Sequence, residues 1–228
     1  MPIQDGPNPK IHTINVFVDE KNNFGSPLGI VLDEEHKIDA KQRQQIATDL
    51  NYSETVFIDD RKTGNINVFS PLRECPFSMY AAHGAAWFMH TELKSRINHL
   101  MSNDQTIEIF LKEGKTWVRS KIAILPQWNY AEYGSATEIE LLRMDDFLHH
   151  EHEMVWAWSD KGKGIIRART FANDWGIPED EANGSGTMRL AAMRGKSITV
   201  VHGKGSVLYA NPFDSDNGEV GGMCSIAR

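Results

Sequence analysis

The chain has 228 residues, 40% of them hydrophobic, and a formal net charge of −7. That length and apolar content can bury a substantial core, as one large domain or two modest ones, while no apolar run approaches the roughly 18 to 20 residues that span a bilayer. The acidic balance, with no basic stripe interleaved with aromatics, argues mildly against nucleic acid as a partner, and the lack of a spanning run argues against a membrane.

The first ten residues, MPIQDGPNPK, lack the apolar stretch of a secretory leader. Cys75 and Cys224 are the sole cysteines and have no metal-ligand spacing, so free thiols and a cytoplasmic location are expected.

Strand patterns dominate and helices punctuate them. His12–Asp19 and Leu28–Leu32 read as strands, and Ala40–Leu50 carries helix formers. Thr55–Asp59 and Asn65–Ser70 flank a Lys62-Thr63-Gly64 turn, which predicts a hairpin. A helix over Phe77–His99 follows, and its Ala81, Ala82, Gly84, Ala85 and Ala86 suit a position inside a curved sheet. Thr106–Leu111 and Thr116–Ile124 form a second hairpin and close a first lobe, 1–125. Pro126–Ser135 reads as a linker into a second lobe, 126–228, which opens with a helix over Thr137–Leu148. Its last strands are Ser197–Val201, Ser206–Ala210 and Glu219–Ile226, the final one a candidate to return to the first lobe.

Residues 54–90 and 153–193 say nearly the same thing twice. In each, a Glu opens an apolar run, a Gly turn follows, a second apolar run ends in Phe, and an irregular loop leads into a helix of small residues. Two such lobes facing each other would bring two loop-to-helix junctions to one cleft, where backbone N–H groups attract anions. The sharpest local signal is the second loop, Gly176-Ile177-Pro178-Glu179-Asp180-Glu181-Ala182-Asn183-Gly184-Ser185-Gly186. Its Gly184-Ser185 turn can hold a carboxylate, although taken alone the segment reads rather as an ordinary helix cap.

These residues resemble the PhzF family, phenazine-biosynthesis-like proteins of the diaminopimelate-epimerase fold. Ser53-Glu54-Thr55-Val56-Phe57 resembles the family's SET-x-F element, and Glu74-Cys75-Pro76-Phe77-Ser78-Met79-Tyr80-Ala81 its E-x-P-F-x-G-H-P loop. The Gly176–Gly186 segment resembles its G-I-P-E-D-P-x-T-G-S-A loop, and Gly25-Ser26-Pro27-Leu28-Gly29-Ile30-Val31 its opening G-N-P-L-A-V-V. The resemblance implies an α+β fold of two pseudo-symmetric lobes, each a curved, mostly antiparallel sheet around a central helix. It also implies a cofactor-free isomerase or epimerase moving a proton on a small carboxylated substrate, with homodimers frequent in the family. Glu54 takes the position of the family's acid/base and Asp180 that of a second polar catalytic group. Tyr80, Asn183, Gly184 and Ser185 fall at substrate-binding positions.

Several positions depart from that pattern. The family's Gly-His pair is Met79-Tyr80, its Pro after Glu-Asp is Glu181, and its Thr before Gly-Ser is Asn183. Tyr, with an unperturbed pKa of about 10, relays protons poorly near neutrality. His83 lies one turn beyond the motif, where a neutral helix histidine pointing elsewhere is expected. Two readings follow: an isomerase built on Glu54, or a non-catalytic small-acid-binding protein of the same fold. A racemase with two facing thiols is rejected, because neither loop offers a cysteine at the matching place. The run His149-His150-Glu151-His152-Glu153 reads as a solvated helix end rather than a metal site. The six tryptophans, Trp156 and Trp158 included, read as core.

Overall fold

In the computed structural model, which describes residues 9–227, the repeat appears as one connectivity used twice. Residues 1–8, most of the stretch inspected for a leader, lie outside the described residues. The first half runs β1 (Ile11–Val18), β2 (Ser26–Leu32), α1 (Ala40–Leu50), β3 (Thr55–Asp60), β4 (Asn65–Phe69), β5 (Glu74–Cys75), α2 (Met79–Thr91), β6 (His99–Ser102), β7 (Gln105–Lys112) and β8 (Lys115–Lys121). The second runs β9 (Asn129–Glu132), α3 (Ala136–Leu141), β10 (Glu153–Asp160), β11 (Ile165–Ala172), β12 (Ile177–Asp180), α4 (Gly184–Arg194), β13 (Ile198–His202), β14 (Ser206–Pro212) and β15 (Asn217–Ile226).

From β2 onward each half has a counterpart in the other. Parallel β2/β3 matches parallel β9/β10, and hairpin β3/β4 matches β10/β11. Parallel β4/β6 matches β11/β13, and each series ends in an antiparallel meander. Even the hairpin turns agree: Asp60 accepts from the Lys62 N–H at 2.7 Å and Asp160 from the Lys163 N–H at 3.1 Å, four residues before Gly64 and Gly164 in left-handed conformation (φ 76° and 71°). A Cβ on either glycine would collide with a neighbouring carbonyl, His99 O at 2.4 Å or Ser197 O at 2.8 Å. Both turns therefore need glycine for φ and for space.

All strands join one mixed sheet. β15 bonds to β8, β14 and β1, so that β1, β2, β3, β4, β6, β7, β8 and β15 close into a ring. Helix α2 fills that ring, which explains a helix with no polar face: Ala81, Ala82, Ala85 and Ala86 are fully buried. The approach is so close that a Cβ on Gly84 would lie 2.4 Å from Leu28 Cδ2. Helix α4 packs on β14 and β15 of the more open second half and keeps a partly exposed face with Arg189 and Arg194.

The strand expected over Thr116–Ile124 ends at Lys121 and gives way to a 3₁₀ turn at Ile122–Ile124, and three larger departures from the predicted extents stand beside it. Helix α2 starts at the Ser78 cap and stops at Thr91, well short of His99, which belongs to β6. Lys94 takes a left-handed φ of 54° just beyond the helix end. The segment expected as a linker contains β9, held in register by parallel pairing with β10. Helix α3 ends at Leu141 because the Arg169 guanidinium takes the carbonyls of Ile139 and Leu142 (3.3 and 2.6 Å), and a short 3₁₀ turn at Met144–Phe147 replaces the rest.

Candidate active site

Helices α2 and α4 begin face to face. The Ser78 hydroxyl accepts from the Ala81 N–H (3.2 Å) and the Asn183 side-chain oxygen from the Gly186 N–H (2.6 Å), capping the two helices by the same device. A Cβ on Gly184 would sit 3.4 Å from Met79 Cβ. A cavity of about 130 Å³ lies over this junction. It is lined by all six residues singled out from sequence, namely Glu54, Asp180, Tyr80, Asn183, Gly184 and Ser185. Ser26, Ser53, Phe77, Ser78, Met79, Trp128 and Trp175 also line it.

No Lys or Arg reaches the cavity wall among the described residues, yet two carboxyl groups do. Desolvation pushes Glu54 up to about 8, reinforced by the Asp180 charge and opposed by the Ser78 hydroxyl, which donates to Glu54 Oε2 at 2.5 Å. Asp180 is raised to about 6, again mainly by desolvation, against the Ala182 N–H that donates to it at 3.1 Å. Near neutral pH one carboxyl is therefore largely protonated while the other is largely ionised. Environments that separate two acids in this way define an acid and a base.

The donors lie beside them. Asn183 is 2% exposed, and its side-chain oxygen is occupied by Gly186 N–H and by the Ser185 hydroxyl (3.2 Å). Its Nδ2 has no partner among the described residues. A helix leaves the N–H groups of its first turn without intrahelical acceptors; here that of Gly186 is taken by the Asn183 side chain, whereas those of Gly184 and Ser185 have no acceptor among the described residues. A buried amide donor left unpaired costs about 1–3 kcal/mol, so a ligand anion here would satisfy a group the fold leaves open.

Tyr80 is bound differently from a simple substrate donor. Its buried hydroxyl donates to the Ser26 carbonyl (2.9 Å), so it offers the cavity its ring, and burial raises its pKa well above the ordinary value. His83 faces away, between Phe17 (centroids 4.4 Å apart) and Cys224 (3.5 Å), with its Nε2 at 2.9 Å from the Thr116 carbonyl. Burial lowers that imidazole to about 4. Cys75 is partly buried near the loop, and neither free thiol lines the cavity. The histidine run is not a helix end: it leads into β10, with His150 on Glu153 and His152 on Asp174, each at 2.8 Å.

Sequence reasoning missed Ser78, Trp128 and Trp175. Ser78 had a readable signal, a serine just before a run of small helix formers. Trp156 is core, 2% exposed, but Trp128 and Trp175 form a cavity wall, a correction to the reading of all six tryptophans as core. Nothing local distinguishes an indole that packs inward from one that lines a cleft.

A mixed α+β sheet wrapped on a helix, with a cleft where two helix starts meet, is the diaminopimelate-epimerase-like fold. The chain belongs to the PhzC-PhzF family of phenazine biosynthesis-like proteins, whose model matches residues 14–157. A PhzF-family crystal structure from Enterococcus faecalis superposes with a TM-score of 0.78 over 95% of both chains, at 16% identity. A hydroxyproline epimerase from Agrobacterium vitis, holding trans-4-hydroxy-L-proline, does so with a TM-score of 0.57 over 96% of this chain and 90% of that one, at 9% identity. An uncharacterized isomerase from Pasteurella multocida is 30% identical over 108 residues, 46% of this chain and 37% of that protein. The match thus spans well under half of that relative. No helix among the described residues is long and apolar enough to cross a membrane.

Proposed function

We propose that this chain is a cofactor-independent isomerase or epimerase that moves a proton on carbon in a small carboxylated substrate, with Glu54 as general acid/base. The reaction occupies the cleft between two lobes, residues 1–125 and 126–228. The observation that carries the reading is a pair of carboxyl groups, Glu54 and Asp180, lining one cavity that no Lys or Arg reaches among the described residues, beside the unpartnered Asn183 Nδ2; desolvation raises both acids, to about 8 and about 6. The substrate carboxylate lies on Asn183 Nδ2 and the N–H groups of Gly184 and Ser185. Ionised Asp180 removes a proton from the adjacent carbon, and neutral Glu54 returns one at the opposite face or at a second carbon. Atoms balance, and the reverse reaction exchanges the roles. The charge that develops on the substrate in between is stabilised by the same fixed donors, which need no reorganisation. The isomerase and epimerase names of relatives agree with this chemistry, and the hydroxyproline in one of them is a small carboxylic acid.

Deuterium uptake from D₂O tests the reading. Wild-type protein is incubated with a panel of small acids that includes trans-4-hydroxy-L-proline, and exchange into carbon is followed by NMR. Net conversion of an exchanging acid into its isomer that disappears in Glu54→Gln supports it; conversion that persists in that variant removes Glu54 from the mechanism, whereas uptake alone can persist through Asp180. A second reading, a binder without turnover, draws on one observation, the commitment of the Tyr80 hydroxyl to Ser26 where the family pattern has an imidazole. Binding of an acid with no exchange in the wild type selects it.

A further inference from the structure

Trp128 stands outside every motif, yet it touches both halves of the site's chemistry. Its indole N–H donates to Ser185 Oγ at 3.0 Å. The Ser185 hydroxyl in turn donates to the Asn183 side-chain oxygen at 3.2 Å, where Gly186 N–H also arrives. Two donors in series and a third that converges on the same oxygen leave one orientation for the Asn183 amide, with its oxygen inward and its Nδ2 without a partner among the described residues. Without the indole N–H, Ser185 is free to rotate and the amide loses one of the contacts that orients it.

The ring has a second engagement. Trp128 meets Trp175 at 5.0 Å between centroids and an interplanar angle of 64°, making an aromatic corner at the cavity wall. Trp175 is backed by His152, stacked at 4.2 Å, whose Nδ1 is held 2.8 Å from Asp174. Three separate segments thus build this corner, and an indole face, negative in its quadrupole, favours flat or apolar surface over an anionic group.

We propose that Trp128 is a positioning and specificity residue: its N–H sets the carboxylate cradle, and its ring, with Trp175, selects ligands whose carbon body is flat or apolar. A second carboxylate finds no cation in the cavity, so diacids are rejected. The inference rests on the proposed function for the place of the ligand and extends it to what the ligand must look like.

Calorimetry with benzoate, acetate and succinate tests it on the full chain. Wild type is expected to bind benzoate at least tenfold more tightly than acetate, and succinate weakest. Trp175→Ala should weaken benzoate about tenfold and leave acetate nearly unchanged, so that discrimination collapses. Trp128→Phe, which keeps a ring and loses the N–H, should weaken both acids, and a double-mutant cycle with Ser185→Ala should show coupling rather than additivity. A simple packing role would lower the melting temperature without changing the benzoate-to-acetate ratio or producing that coupling. Equal affinity of the wild type for benzoate and acetate, no binding of either, additive losses in the cycle, or unchanged discrimination in Trp175→Ala each overturns the proposal. Should Trp128→Phe fail to fold, Ser185→Ala alone breaks the same link from the other side, and unchanged affinity there overturns it. Glu54→Gln separates the two readings: benzoate preferred over acetate as in the wild type while isomer conversion persists overturns the role of Glu54 and leaves the Trp128 proposal standing.

Discussion

At the scale of single residues, the protonation of Glu54 makes the most direct prediction. Its carboxyl is raised from the usual 4.5 to about 8 in the folded protein, so the folded state holds this proton more tightly than the unfolded one does. Folding stability therefore falls as pH rises from about 4.5 to about 8, because the unfolded chain gains the favourable ionised form first. Glu54→Gln lacks that penalty. At about 1.4 kcal/mol per pKa unit, its stability advantage over wild type should grow to a few kcal/mol between pH 5 and 8, measured by denaturant titration. A constant difference across that range would mean that Glu54 titrates normally. The same pair of values predicts a bell-shaped kcat/KM profile, with the acidic limb near 6 from Asp180 and the alkaline limb near 8 from Glu54.

Tyr80 gives a contrasting case. Its hydroxyl is spent on the Ser26 carbonyl, so Tyr80→Phe removes one buried hydrogen bond and leaves the ring in the wall. A loss of roughly 0.5–1.5 kcal/mol in stability is expected, or somewhat more because the carbonyl is left unpaired, with turnover changed far less than the 10² to 10⁴-fold typical of losing an acid/base group. Turnover abolished in Tyr80→Phe at intact folding would give Tyr80 the missing histidine's work.

At the scale of elements, Gly84 shows how a single residue fixes a helix inside a sheet. Any Cβ there meets Leu28, Val16 and Ile14 at 2.4, 2.9 and 3.2 Å, and the ring of strands around α2 leaves nowhere for them to move. Gly84→Ala gains helix propensity of about 1 kcal/mol, but overpacking in a closed core costs about 1–3 kcal/mol. A net destabilisation is expected; a stabilised variant would show that the ring can relax. The run of small residues made this burial legible in the sequence, and the twice-repeated order of Glu, Gly turn, terminal Phe and small-residue helix made the repeat legible. What was not legible depends on distant partners. The strand β9 exists because β10 runs beside it, and α3 stops early because Arg169, about thirty residues on, takes its last carbonyls while pairing with Glu179 at 2.7 Å. The candidate site divides the same way. Glu54, Asp180 and the Asn183-Gly184-Ser185 turn sit in local motifs, whereas Trp128 and Trp175 acquire their place from tertiary packing.

At the scale of the whole molecule, the question is what holds the second half's acid loop in register with the first half's wall. Glu181, which replaces the family's proline, stands at the centre of a polar strut. Its carboxylate accepts the Lys204 N–H (3.0 and 2.9 Å) and the Ser206 hydroxyl (2.9 Å), and the Ser206 oxygen accepts the Gly25 N–H at 3.1 Å. Ser26, the next residue, lines the cavity and holds Tyr80. The strut therefore runs from the residue after Asp180 to the residue before Ser26, so that a shift of one wall is felt by the other. Glu181→Ala leaves two donors without their acceptor, the Lys204 N–H and the Ser206 hydroxyl, and a half-buried set of this kind is worth about 1–3 kcal/mol per orphaned group. We expect a loss in that range in denaturant titration, together with a drop in kcat/KM. Glu181→Gln keeps an acceptor oxygen and should recover most of both. Ser206→Ala should resemble Glu181→Ala in activity, and the double variant should lose less than the sum, since one network is broken twice. Full activity and stability in Glu181→Ala would show that sheet continuity through β15 and β1 alone sets the cleft, with the strut an accessory on its rim.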